Sequence, residues 1–180
     1  MRYFIIILIY TLSANLQAFE SFSQGSESSI KKYTLGTTFG THYAIFDQSN
    51  DDSDTLSQFE LFYEYHFDKT SSLHTKFYTG SNGNDMPDGE FDASGFQVSY
   101  KTQITFFDNW DVYGRVGANI YKTKVANGGG SDSSAGLGLV AATGLEYVAD
   151  NGFLLGANIE YFTAGELDVA SLYLSVGFSF

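Results

Sequence analysis

Cysteine is absent from this 180-residue chain. No disulfide framework and no thiolate-ligated metal can hold it together, and its compartment is left open. Proline occurs once, at Pro87. Its near absence, beside 19 glycines, 17 phenylalanines and 13 tyrosines, favours strands joined by tight turns over helices. Basic residues are scarce, with nine Lys and Arg against 21 Asp and Glu. Phosphates need Lys and Arg to neutralise them, so a chain this acidic excludes nucleic acid as a partner. Long apolar runs are scarce too. The longest, Tyr3 to Leu12, is about half of the roughly 20 residues a spanning helix needs.

That run instead fits a secretory signal peptide over residues 1–18. Arg2 is the basic start, Tyr3 to Leu12 the apolar centre, and Ser13 to Ala18 the small polar end, with cleavage after Ala18. Loss of Arg2 leaves eight basic and 21 acidic residues, a net charge of −13. Residues 19–32 are polar and Ser-rich, a short leader. Residues 33–180 show no break in composition and are expected to form one domain.

What this domain has in abundance is period-two alternation. In Ser171 to Phe180, Leu172, Leu174, Val176, Phe178 and Phe180 share one parity, and Tyr173, Ser175, Gly177 and Ser179 the other. An apolar strand of this kind is a pairing hazard at an open sheet edge. In a closed membrane barrel it is required, because closure removes the edge and lipid takes the apolar face. The same alternation recurs from Tyr33, Leu56, Leu73, Ser94, Trp110, Ala135 and Phe153. Between the strands lie acidic loops at Asp47 to Thr55 and Ser81 to Ala93, and a Gly- and Ser-rich loop at Lys124 to Ser134. Short turns are expected at Asp68 to Ser72, Thr105 to Asn109 and Val148 to Gly152, and a shorter loop at Thr163 to Ala170.

Eight strands of roughly ten residues match the length needed to cross a bilayer. The expected fold is all-β, an eight-stranded antiparallel up-and-down transmembrane β-barrel. A lipocalin-like soluble barrel would place the apolar parity inside. Here the other parity holds charges and glycines, so the apolar face belongs outside. Aromatic residues near the strand ends form two expected girdles: Phe67, Trp110, Tyr147, Phe153 and Phe180 at the turn side, and Tyr43, Phe59, Phe96 and Tyr161 at the loop side.

The stretches VYGRVGANIYKT, GLGLVAATGLEYVADNGFLLGANIEY and LYLSVGFSF resemble the small outer-membrane β-barrel family typified by the OmpA transmembrane domain and by OmpX-like and OmpW-like proteins. The resemblance implies a monomer in the outer membrane of a Gram-negative bacterium, in contact with outer-membrane lipids and lipopolysaccharide. It also implies that Phe178 and Phe180 form a recognition signal for the outer-membrane barrel assembly machinery. Activity does not follow from the family, whose barrels host diverse roles. A structural or surface-interaction role through the acidic loops is expected, with an unidentified extracellular receptor. A narrow conduit for small solutes, gated by interior charges as suggested for the family, is the alternative.

The interior parity carries Glu60, Glu64, Glu146 and Glu160 against Lys76, Lys101 and Arg115. Buried charges persist only when paired, so an interior ion network is expected. If Phe67 faces Leu73, then Glu64 faces Lys76 and His66 faces His74. Lys101 and Arg115 are expected as neighbours, with Glu146 the carboxylate nearest in order. No metal or other cofactor is expected: a His66–His74–Glu64 set is a weak ligand group, and the acidic loops lack D-x-[DN]-x-[DN]-G. Some eight-stranded outer-membrane barrels act on lipid A with Ser and His, but none of the three histidines sits in an H-x-S arrangement. No catalytic residue and no enzyme are expected.

Overall fold

In a computed structural model, residues 31–46, 53–81, 90–127, 130–165 and 167–180 are described. They form eight strands: β1 Tyr33–Phe46, β2 Ser53–His66, β3 Ser71–Ser81, β4 Glu90–Phe107, β5 Trp110–Asn127, β6 Gly130–Val148, β7 Phe153–Ala164 and β8 Leu167–Ser179. Each pairs antiparallel with the next, and β1 pairs with β8, so the sheet closes into a barrel. The seam runs from Thr34↔Ser179 to Phe46↔Leu167. Reciprocal bonds between Tyr33 and Phe180 lock its foot: Tyr33 N donates to Phe180 O at 3.0 Å, and Phe180 N to Tyr33 O at 2.8 Å. The expected signal peptide and most of the expected leader lie outside the described residues.

The alternation sorts as expected. Leu35, Phe39, Leu61, Phe77, Val98, Ile120, Leu155 and Leu174 face outward and are exposed, while Thr38, Glu60, Lys76, Gln97, Arg115, Asn158 and Glu160 are buried inside. With the polar parity enclosed, the exposed apolar wall is satisfied only by lipid. Aromatic contacts mark the turn side, with Trp110 and Tyr147 rings 5.3 Å apart and Tyr33 and Phe180 rings 5.8 Å apart.

Residues 53–55, 81 and 90–93, expected in the two acidic loops, are paired strand, and two further connections differ more. Lys124 to Ser134 is almost wholly paired strand rather than a loop, since β5 and β6 stay in register up to Asn127↔Gly130. The expected loop over Thr163 to Ala170 is a tight hairpin whose strands reach Ala164↔Leu167, with Gly165 at φ +71°. In both places small or polar residues sit where the hairpin leaves the lipid, so apolar alternation ends before the hydrogen-bond ladder does. The outcome is a lopsided barrel. β4, β5 and β6 have 18, 18 and 19 residues, but β7 has only 12. β6 pairs with β7 only from Val140 onward. Gly130 to Gly138 therefore borders β5 alone among the described residues.

The β2–β3 turn is built by Asp68. Its Oδ1 accepts from Thr70 N (2.7 Å), Thr70 Oγ1 (2.7 Å) and Ser71 N (2.8 Å), and its Oδ2 from Ser71 Oγ (2.6 Å). This Asx-type closure starts β3 at Ser71 and brings Tyr65 opposite Leu73. Partial burial pushes the Asp68 carboxyl up, but the hydrogen bonds from Ser71 and Thr70 outweigh it and hold the pKa below 3.8. A depressed folded value means that the stabilisation is present above the ordinary carboxyl range and lost as pH falls through the folded value. Asp68→Ala is expected to lower stability by about 1 kcal/mol at neutral pH. Urea unfolding in phospholipid vesicles should show this difference shrinking below pH 3.8.

Candidate functional site

The interior ion network is the first candidate. It is held by alternate residues of β2 to β7, whose side chains the pleat sends into the lumen. All seven charged residues expected there are buried, from Glu60 at 0% exposure to Glu146 at 5%. They fall into two clusters.

Nearer the turn side, Lys101 Nζ lies between Glu146 Oε2 (2.5 Å) and Glu64 (3.0 and 3.1 Å to its two oxygens). It also sits 4.5 Å from the centre of the Tyr113 ring. Two carboxylates here share one lysine. Histidine adds a further contact: His74 Nδ1 hydrogen-bonds Glu64 Oε1 at 2.7 Å, while His66 Nε2, 3.6 Å from Glu64 Oε2, pairs with the Thr34 hydroxyl at 3.0 Å. At mid-lumen, Glu160 accepts from Lys76 Nζ (2.6 Å), Gln97 (3.1 Å), the Tyr173 hydroxyl (3.3 Å) and Arg115. Lys76 also reaches Glu60 at 2.9 Å, and Glu60 accepts from Thr38 and Gln58. Two cations and two carboxylates balance there.

The expected register across the Asp68 turn is corrected by two residues. Glu64 opposes His74, Phe62 opposes Lys76 and His66 opposes Ser72. The Glu64–Lys76 and His66–His74 pairs are therefore not formed as cross-strand partners, because the side-chain bonds of Asp68 tighten the turn. Lys101 and Arg115 are neighbours, but they take different carboxylates. Lys101 uses Glu146, whereas Arg115 reaches across β6 to Glu160. No group of three or more His, Asp or Glu side chains with metal-binding geometry occurs among the described residues.

Two features escaped the sequence. The first is an apolar plug. Tyr78, Tyr121, Val140, Phe162, Ala164, Val169 and Ala93 form a buried cluster inside the loop-side half of the barrel. Tyr78 and Phe162 rings lie 5.2 Å apart, and the Tyr78 hydroxyl donates to Asn119 at 3.1 Å. Below it, a cavity bordered by Lys76, His74, Tyr113 and Tyr173 measures only about 10 Å³, room for roughly one water. An interior Phe or Val in a membrane strand breaks the polar parity, and that local break was the available signal.

The second is a His42–Ser171 pair, with Nδ1 and Oγ 2.8 Å apart across the seam. A nucleophile and base need a third group to orient the base. His42 Nε2 has no hydrogen-bond partner among the described residues. Both residues are buried, His42 completely. Their separation of 129 positions hides the pair from any motif. Phe178 and Phe180 both face outward, 49% and 60% exposed, on the wall rather than in the network.

A closed antiparallel barrel, apolar outside and ion-paired inside, defines an integral membrane barrel. The chain belongs to the outer membrane protein beta-barrel domain family, whose model matches residues 4–180. Its place is the outer membrane of a Gram-negative bacterium. No curated protein sequence matches it significantly. Solved structures share the fold. Neisserial surface protein A is 16% identical, with a TM-score of 0.71 over 86% of this chain and 100% of that one. Ail, the attachment invasion locus protein of Yersinia pestis, is 21% identical, with a TM-score of 0.62 over 83% of this chain and 97% of that one. A second Ail structure, with the heparin analogue sucrose octasulfate, gives 20% identity and a TM-score of 0.58 over 83% of this chain and 97% of that one.

The network is sensitive to the loss of one partner. Glu160→Ala would leave Arg115 with no carboxylate and Lys76 with Glu60 alone. Breaking a buried ion cluster in this way costs about 3–5 kcal/mol. A matching fall in urea-unfolding free energy in vesicles is expected, with Glu160→Gln retaining part of it.

Proposed function

We propose that this protein is a sealed, non-enzymatic surface barrel that presents its extracellular edge to a partner. The observation that carries the reading is the β5–β6 hairpin, which outgrows β7 and, among the described residues, leaves Gly130 to Gly138 with strand pairing on one side only. A free backbone edge can take up an extended segment through main-chain hydrogen bonds. Ail, which shares the fold, is an attachment invasion locus protein, and such a role is consistent with this reading. The heparin analogue bound to Ail transfers poorly, because the loops here carry Asp47, Asp51, Asp52, Asp85 and Asp88, which repel a polyanion. A neutral or cationic protein segment is the partner class this surface suits.

The interior ion network is read as structural. It fills the lumen with neutralised charge and leaves little free volume. The conduit reading has the network in its favour and the apolar plug against it. A barrel with no open edge inside the membrane suits a monomer, with lipid around the outward wall. The outward Phe178 and Phe180 suit recognition by the assembly machinery before insertion.

Two measurements test this. In planar bilayers the native barrel should give no conductance steps, and Tyr78→Ala/Phe162→Ala/Val169→Ala should produce them; steps from the native protein would favour the conduit. On cells, removing residues 126–131 should reduce attachment to protein-coated surfaces at an unchanged level of heat-modifiable barrel. Unchanged attachment would remove the hairpin from the role.

A further inference from the structure

The outward face of β5 runs apolar from Trp110 through Val112, Val116, Ala118 and Ile120, then turns cationic at Lys122 and Lys124. Both lysines are exposed, while Tyr121 before them and Thr123 between them are buried in the lumen. The neighbouring strands change at the same height. Phe96, Ile120 and Leu137 form the last apolar row, followed by Ser94, Lys122 and Ala135, and then by Asp92, Lys124 and Ser133.

The height is informative. Ten residues from Trp110 to Ile120, at about 3.3 Å rise and a tilt near 40°, span roughly 25 Å, the height of the apolar band of an outer-membrane barrel. Trp110, with its ring tilted against that of Tyr147, marks the lower interface. Lys122 then stands about 5 Å above the band, in the headgroup layer of the outer leaflet. The lysine stems can lie along the apolar rim with their ammonium groups at the interface.

The placement is selective. Among the described residues the other lysines and arginines are at positions 31, 32, 69, 76, 101 and 115, none of them on the outward face at this height. Neither Lys122 nor Lys124 is in an ion pair among the described residues. Asp92 lies beside Lys124 in register, leaving these two rows a net single positive charge and making Lys122 the leading contact. Ser94, next to Lys122, offers a hydroxyl donor.

We infer that Lys122 and Lys124, with Ser94, form a binding site for the phosphate headgroup of an outer-leaflet glycolipid of the lipid A type. The site lies on the lipid-facing wall and is independent of whatever occupies the hairpin edge. It anchors β5, the strand that carries the projecting hairpin, to the leaflet's anionic layer.

The test uses the refolded mature chain in nanodiscs containing bisphosphorylated lipid A, phosphatase-treated lipid A or phosphatidylglycerol. Lipid retained through detergent exchange is read by native mass spectrometry. Native protein should retain bisphosphorylated lipid A and not the dephosphorylated form. One cation at an anionic headgroup layer is worth about fivefold, so Lys122→Gln should lower retention by about fivefold and K122Q/K124Q by about 25-fold. K122R/K124R should restore it. Heat modifiability, which these exposed positions should leave unchanged, controls for folding. Equal retention by K122Q/K124Q, or equal retention of dephosphorylated lipid A, would overturn the site. Binding of soluble sucrose octasulfate without retention of lipid A would assign the pair to a soluble polyanion and overturn the lipid assignment.

Discussion

A peptide group in lipid finds no water to bond, and each unpaired N–H or C=O costs several kcal/mol. The structure depends on that constraint. Closure of β1 on β8, thirteen partners long from Thr34↔Ser179 to Phe46↔Leu167, removes both edges of the sheet. Once the ring is closed, side-chain parity sets inside against outside, and a one-residue slip in any strand would carry charge into lipid. The ion network is thus a consequence of closure as much as a cause of stability. Lys76, Lys101 and Arg115 are held where water is scarce, and only Glu60, Glu64, Glu146 and Glu160 make that tolerable.

Space is the second consequence. An eight-stranded barrel has an interior just wide enough for side chains, so long residues must face short ones. Neighbouring backbone is close as well: at Gly117 an added Cβ would stand 2.0 Å from the Val98 carbonyl oxygen and 2.5 Å from the Ser99 Cα. Gly95 gives room to Tyr78, whose hydroxyl would lie 2.4 Å from an added Cβ. The interior glycines are the complement of the aromatic and charged side chains that fill the lumen, and overpacking at such sites is destabilising.

The wall was legible in the sequence because its rule is local. Leu172, Leu174, Val176 and Phe178 alternate with Tyr173, Ser175 and Gly177, and lipid on one side makes that pattern strict. The interior was legible only as a set. Which residues lie inside follows from parity, but which ones touch depends on turn geometry and on reach across the lumen. Four hydrogen bonds accepted by the Asp68 carboxylate set the β2–β3 register two residues from the expected one, trading a Glu64–Lys76 pair for Glu64–His74. Arg115 bypasses Glu146 for Glu160 because the register puts the small Ala142 and then Glu160 in its row, while Glu146 lies opposite Asp111. The hairpin ends are illegible in the sequence for another reason. Outside the lipid, strand pairing continues without apolar alternation, so Lys124 to Ser134 looked like loop while remaining in register.

Composition along the barrel axis ties these points together. The turn-side half of the lumen is ionic and the loop-side half is apolar, with Tyr78, Phe162 and Val169 above Arg115 and Glu160. Charge inside the turn-side half meets only groups that neutralise it, and the plug separates it from the acidic outer surface. An acidic chain has few cations to distribute, and the structure places them where negative charge or carbonyl oxygen gathers. Lys31 reaches the Ala149 and Asp150 carbonyls at 3.3 and 2.8 Å, tying the foot of β1 to the β6–β7 turn. Lys76, Lys101 and Arg115 neutralise the interior carboxylates. Lys122 and Lys124 stand where the apolar wall ends. Had the interior been packed with aliphatic residues instead, no cation would have been needed there, and a replacement of that kind is often neutral or stabilising for a buried ion cluster. Polar filling keeps the interior parity less apolar than the lipid-facing one, so a strand arriving at the membrane has one face that can enter lipid. The ionic lumen thereby fixes which way every strand turns.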